Sequence, residues 1–270
     1  MIVKKEMILM DFLLQTYNRK NAKNLLKFKQ VYVNSQQISQ YDYLLKINDV
    51  VNIQKKETTS LDIIYEDDEF IVINKPAGLL SMSDGKEKEK TAYHLVSEYL
   101  KNRDSRNKVF IVHRLDRETS GVLMFCKNEK IRNLLQEQWN KLVQTRGYVA
   151  IVEGQMKKKQ ETLKNYLAEN KSQIVYVTAK DKGKLAITHY QVIKQTKYFA
   201  MLDIELDSGR KNQIRVQLAH IHHPITGDKK YGAKTNIVHR LALHAHKFIF
   251  IHPVTRKKYT FETDIPFHLK

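Results

Sequence analysis

The chain has 270 residues, 42% of them hydrophobic, which is room for one large and one small domain and too apolar for a disordered chain. It carries 47 basic against 29 acidic residues, a formal charge of +18, and such an excess suits a polyanionic partner, nucleic acid being the usual one. The single cysteine, Cys126, excludes an internal disulfide framework and suits a reducing cytoplasm. No run of 18 apolar residues, secretory leader or lipidation motif is found, so no membrane partner is expected.

Residues 1–56 read as a separate small unit. Positions 18–28 place Ala22, Leu25 and Leu26 at helical spacing among Arg19, Lys20, Lys23 and Lys27. Short strands are expected at 31–33 and 49–53, and a polar linker at 55–60. From residue 61 to 270 the pattern becomes strand-rich. Strands are expected at 63–65, 70–73, 109–112, 122–125, 148–152, 174–177, 186–192, 200–206, 242–251 and 258–261. Helices are expected at 92–101, 129–142 and 212–221, and the charge runs 83–91 and 155–161 read as solvated loops. Strands with a few inserted helices imply an α+β domain. It would be built on a mixed, mostly antiparallel sheet with flanking helices, preceded by the small α+β unit.

The most informative stretch is 113–121, HRLDRETSG, lodged between the apolar runs 109–112 and 122–125. Two buried strands thus flank a charged, hydroxyl-rich turn, and charge set against a core is costly unless it is paired or used. Taken alone, an Asp in a turn is ordinarily a cap or turn residue. The rest of the chain alters that reading of Asp116.

HRLDRETSG resembles the catalytic motif of the RluA-type RNA pseudouridine synthases. Other segments match in the family's order: DDEFIVINKPAGLL at 67–80, RGYVAIVEG at 146–154, SGRKNQIRV at 208–216, HPITGDKKYG at 223–232 and RLALH at 240–244. The resemblance runs from about 61 to 266. It implies an isomerase that needs no metal or redox cofactor, with Asp116 as its one essential catalytic residue. It implies that Arg215 pairs with Asp116 and holds it ionised, and that Tyr148 stacks on the uracil. Arg114 would fill the space left by a flipped-out nucleotide, and His113 would be a hydrogen-bonded motif residue and not a base. Asp116 would either attack the anomeric carbon or promote loss of a 2′ proton to give a glycal. The expected substrate is ribosomal RNA, of the large subunit first, or transfer RNA, acted on by a cytoplasmic monomer. The basic helix and small sheet of residues 1–56 resemble the S-four type of RNA-binding domain, with Arg19, Lys20, Lys23 and Lys27 as its RNA contacts. There Gln30 and Ser35 replace the usual glycines. Two further departures, Lys211-Asn212 for Thr-His and Gln217 for His, bear on RNA contact and spare Arg215.

Other classes fit less well. The histidines at 220, 222, 223, 244 and 246 lack a second Cys or a carboxylate set at metal-ligand spacing. Gly78 and Gly85 stand too far apart for a phosphate loop, and Glu87 occupies the place of its Ser or Thr. A glycosidic hydrolase would need two carboxylates, and the motif offers only Asp116 and Glu118, the latter expected to be solvated or paired with a neighbouring arginine. A non-catalytic RNA-binding protein of this fold would have no use for Asp116, which is intact.

Overall fold

The computed structural model describes residues 1–27, 29–53, 61–85, 87 and 89–269. The chain divides into two compact units, 1–60 and 61–270. The linker expected at 55–60 and Phe28, the last residue of the first expected helix, lie outside the described residues, as does Lys86.

The smaller unit runs β1 (Met7–Ile8), α1 (Leu9–Leu14), α2 (Arg19–Lys27), β2 (Val31–Val33), β3 (Gln36–Gln37), β4 (Leu44–Leu45) and β5 (Val51–Ile53). The side chain of Asn18 opens α2 by accepting the Asn21 N–H at 2.9 Å, satisfying one of the orphan donors of the first turn. Ala22 and Leu26 point inward, onto Leu9, Leu13, Val31, Val33 and Val51. Residues four apart share a helix face, so burying this pair leaves Arg19, Lys20, Lys23 and Lys27 exposed. The helix α1 was not expected. Its six residues are too few for periodicity to register.

The larger unit runs β6 (Ile63–Glu66), β7 (Phe70–Lys75), α3 (Ala92–Arg103), β8 (Phe110–Ile111), β9 (Ser120–Cys126), α4 (Glu129–Glu137), α5 (Trp139–Leu142), β10 (Val143–Glu153), β11 (Gln160–Glu169), β12 (Val175–Thr178), β13 (Lys184–Gln195), β14 (Phe199–Leu206), α6 (Gln213–His220), β15 (Leu243–Ile251) and β16 (Lys258–Glu262). Its sheet has the order β12-β11-β13-β14-β10-β15-β9-β7-β6, with β16 paired to β15 and β8 to β9. Among these strands every pairing is antiparallel except β15 with β9, a short parallel seam joining His244–Ala245 to Ser120–Gly121. The fold is therefore α+β on a mostly antiparallel sheet.

Strands β7 and β9 are buried on both faces. Phe70, Val72, Val122 and Met124 face Ile131 and Leu135 of α4. The intervening Ile71, Ile73, Leu123 and Phe125 face Ala92, Val96 and Leu100 of α3. A strand covered on both sides reads as a continuous apolar run, which is why both were legible. Strand β11 begins inside the expected loop 155–161. It buries only Leu163 and Leu167, too weak an alternation to read. The expected helix 129–142 is two helices, broken at Gln138, where the backbone leaves the helical region (φ −104°, ψ 22°).

Helix α6 lies on the sheet through Ile214 and Leu218. It is also fastened by buried amides. The Gln217 side chain donates to Leu163 O, Asn165 Oδ1 and Ala186 O, and accepts from the Thr188 hydroxyl. Gln213 donates to Ile187 O and to the Thr188 hydroxyl oxygen. Gln217 is fully buried, so its departure from the family pattern concerns how α6 is anchored. Buried amides with every group satisfied specify one seating of the helix, and with it the position of Arg215.

Candidate active site

The turn that carries Asp116 links β8 to β9 and is pinned before it turns. The Ser81 hydroxyl donates to Leu115 O at 2.7 Å and accepts the Leu115 N–H at 3.0 Å. Lys75, at the end of β7, is fully buried and spends its three donors on the carbonyls of Pro76, Leu79 and Arg117, at 3.0, 2.7 and 3.0 Å. Burial pushes its pKa down to about 7, against the pull of Glu118 and Asp116. The Gly78 N–H also donates to Arg117 O, at 2.9 Å. Sequence reading assigned Lys75 no role. The available signal was a lysine closing a mostly apolar strand just before a proline, a charge set against a core.

Asp116 keeps 27% of its side chain open to solvent. Arg215, the third residue of α6, brings Nη1 to 3.7 Å from Asp116 Oδ2. The guanidinium fork, however, belongs to another carboxylate. Arg215 Nε and Nη2 donate to the two oxygens of Asp228, each at 2.7 Å. Nη1 donates to Asn212 Oδ1 at 3.0 Å, and the guanidinium lies 5.1 Å over the Tyr231 ring. Asp228 is 2% exposed. The pairing of Arg215 with Asp116 implied by the resemblance is thus present as a looser contact than a fork. Burial raises the Asp116 pKa above the usual carboxylate range. Arg215 and the Asn212 main-chain N–H oppose this without cancelling it, and Asp228 adds to it. Arg215 neutralises Asp228 first, so only part of its charge serves Asp116. Asp228 lies in the segment HPITGDKKYG and no sequence signal set it apart from an ordinary turn Asp.

Asn212 precedes α6 in a left-handed conformation (φ 53°), which Asn tolerates better than most residues. Its side chain donates to the Tyr231 hydroxyl at 3.0 Å while accepting from Arg215. This second departure from the family pattern therefore touches the Arg215 cluster itself.

Tyr148, on β10, packs against the cores on both sides of the site, and its hydroxyl is held up at a pKa of about 12 by burial and by Asp116. Arg146, two residues earlier, donates to Leu206 O at 2.8 Å and exerts an opposing pull on Tyr148. Asp116, Arg215 and Tyr148 are thus brought together from three separate stretches of chain. Arg114 is exposed at the edge of the turn, with Nη1 3.9 Å from the Met82 sulfur. His113 points into the core. It stacks on Phe248 at 4.8 Å, its Nε2 accepts the Met124 N–H, and burial lowers its pKa to about 3, so it is no base near neutrality. Glu118 is half exposed and lies 3.9 Å from Arg117. Arg19, Lys20, Lys23 and Lys27 belong to the other unit. Among the described residues no cluster of three His, Cys, Asp or Glu side chains is disposed to hold a metal. No helix among them is long and apolar enough to cross a membrane.

The sequence and the mostly antiparallel fold are matched by known proteins. Residues 69–220 match the RNA pseudouridylate synthase family. The chain belongs to that family, whose members are isomerases. It is 32% identical over 229 residues to an uncharacterized RNA pseudouridine synthase of Bacillus subtilis, YhcT, covering 82% of this chain and 76% of the relative. It is 30% identical over 284 residues to the ribosomal large subunit pseudouridine synthase D of Buchnera aphidicola, covering 96% and 90%. It is 35% identical over 227 residues to the tRNA pseudouridine synthase C of Haemophilus ducreyi, covering 74% and 89%. The solved human RNA pseudouridylate synthase domain containing 1 shares the fold, with a TM-score of 0.65 at 20% identity, covering 80% of this chain and 88% of that one.

Proposed function

We propose that the protein converts uridines of ribosomal or transfer RNA to pseudouridine, with Asp116 as the catalytic residue. The observation that carries this is the pairing of a partly accessible carboxylate with Arg215 at 3.7 Å, beside Tyr148. The N1–C1′ bond of the target uridine breaks, the uracil turns, a C5–C1′ bond forms and the C5 proton leaves. Asp116 either attacks C1′, its bond breaking again as C5–C1′ forms, or removes a 2′ proton to give a glycal and later returns it; in both cases N1 gains a proton as C5 loses one. Tyr148 offers the uracil an aromatic face, worth about 1–3 kcal/mol per stacked base. Asp228 is a positioning residue that holds Arg215 in place. It is not a second catalytic carboxylate of the hydrolase kind, because both its oxygens are committed to the arginine.

A target uridine in structured RNA must leave its stack, at a cost of a few kcal/mol, and Arg114, which is exposed, would fill the gap. The N-terminal unit is an RNA-binding module of the S-four type, reaching phosphates through Arg19, Lys20, Lys23 and Lys27 on one face of α2. The protein works as a monomer in the cytoplasm. Replacing Asp116 by Asn tests the reading. Tritium release from RNA labelled at uridine C5 is expected to vanish while RNA affinity and the thermal unfolding midpoint stay close to wild type. Wild-type release by D116N would overturn it.

A further inference from the structure

The catalytic turn is also pinned at its far end. Ser120 closes the turn four residues after Asp116, and the parallel seam between β9 and β15 begins there. Arg240 Nη2 donates to Ser120 Oγ at 2.6 Å, Ser120 Oγ lies 2.7 Å from His244 Nδ1, and His244 Nε2 lies 2.8 Å from Thr263 Oγ1. An arginine can only donate, so the Ser120 hydroxyl proton is free to go to His244 Nδ1, which must then be unprotonated. The imidazole proton consequently sits on Nε2 and points at Thr263. Burial, with Arg240 and His246 nearby, lowers the His244 pKa to about 4, so this arrangement holds at neutral pH.

The same arginine meets the other half of the site through its backbone. Gly227, with φ +84°, lies so close to the Arg240 carbonyl that a Cβ there would collide with it. The next residue is Asp228, which grips Arg215. Further bonds join the two stretches: the Ile237 N–H donates to Thr226 Oγ1 at 3.3 Å and the Ala242 N–H to Thr226 O at 3.1 Å. Gly121 repeats the device at the seam, where a Cβ would strike the Ala245 carbonyl. The segment around Arg240 therefore touches the turn bearing Asp116 on one side and the turn bearing Asp228 on the other.

We propose that Arg240 is a positioning residue that, acting through Ser120, sets the separation between Asp116 and Arg215. This rests on Asp116 being the catalytic carboxylate. The charged and titratable groups facing Asp116 are Arg215 and Asp228, Lys75 beneath the turn, and Tyr148 on β10. Arg240 itself acts on Lys75, Glu118 and His244, and is not among the largest influences on Asp116. Its loss should reach Asp116 only by letting the turn drift from Arg215.

The test is the Asp116 titration, followed by the carboxyl carbon resonance, together with the pH profile of the single-turnover rate. Both are measured on the full chain for wild type, R240M, R240K and S120A. R240M and S120A are each expected to raise the Asp116 pKa by about 1 unit, the low end of what an opposite charge at this range supplies. The acid limb of the rate should move up by the same amount, with RNA affinity unchanged. S120A removes no charge and a single oxygen, so it isolates the tether and remains informative if R240M folds poorly. R240K, which keeps one donor for Ser120, is expected to fall between wild type and R240M. The double variant should go no further than either single one, as members of one network do. An unmoved titration in S120A would overturn the proposal. So would an R240M defect confined to RNA affinity with a flatter salt dependence, which would make Arg240 a direct RNA contact. Activity surviving in D116N would refute the catalytic reading while leaving the titration result to stand alone.

Discussion

On α2 of the N-terminal unit, Arg19, Lys20, Lys23 and Lys27 stand exposed, whereas Lys75 and Arg215 in the larger unit are 0% and 8% exposed and bonded to fixed partners. Exposed cations keep their water and counterions. On the proposed reading their value would lie in releasing counterions to a polyanion, and it would fade with salt. Buried cations have lost that water and are held by geometry, so removing a partner is costly and salt matters little. One excess of positive charge, read from the composition as a single feature, thus divides into two kinds of chemistry.

The comparison is broken most severely at Asp228. In D228A the Arg215 guanidinium would be left buried without its fork, and losing one partner of such a pair costs about 3–5 kcal/mol. A midpoint of urea unfolding within error of wild type would show that the pair is not the anchor described here. Activity should fall with stability, and D228N, which keeps one acceptor, should fall less.

Next comes Arg215 itself. R215M removes the cation that partly offsets the burial of Asp116, so the carboxyl pKa rises further and the neutral acid is favoured. The single-turnover rate should drop by about 10²–10³ at neutral pH, the usual cost of removing one electrostatic partner at a reacting centre, and recover as pH rises. R215K should be milder without being neutral, because an ammonium cannot bridge both Asp228 oxygens. A wild-type pH profile in R215M would remove Arg215 from the chemistry.

A smaller effect comes from two histidines set against the core. His113 and His244 have pKa values lowered to about 3 and about 4 from 6.5. Between those values and 6.5 the unfolded chain binds more protons than the folded one. Stability should therefore fall as pH is lowered from 6.5 toward 4, and be flat above 6.5 as far as these groups are concerned. Unfolding midpoints measured across that range check the sign. Replacing His244 by Asn should flatten part of the slope.

The smallest effect on rate is expected on α2. Neutralising Arg19, Lys20, Lys23 and Lys27 together should leave the single-turnover rate at saturating RNA unchanged. It should flatten log affinity against log salt by roughly 0.7–0.9 for each phosphate that is no longer neutralised. An unchanged slope would make the N-terminal unit a structural cap.

By itself the sequence carried whatever depends on local pattern or on a motif contained in one stretch. The continuous apolar runs of β7 and β9 were legible because both faces are covered, and Asp116, Tyr148 and Arg215 each sit inside a recognisable segment. The basic face of α2 followed from helical spacing alone. What only the tertiary structure decided is which charges meet. Asp116 and Arg215 are 99 positions apart along the chain, and nothing along it says that the arginine's fork goes to Asp228, or that its remaining nitrogen lies 3.7 Å from Asp116. The reach of Lys75 to the Arg117 carbonyl in a distant turn, and the link from Arg240 through Ser120 to His244, likewise join stretches far apart along the chain. Hydrogen bonds and pKa values are set by distance and burial in space, and spacing along the chain encodes neither.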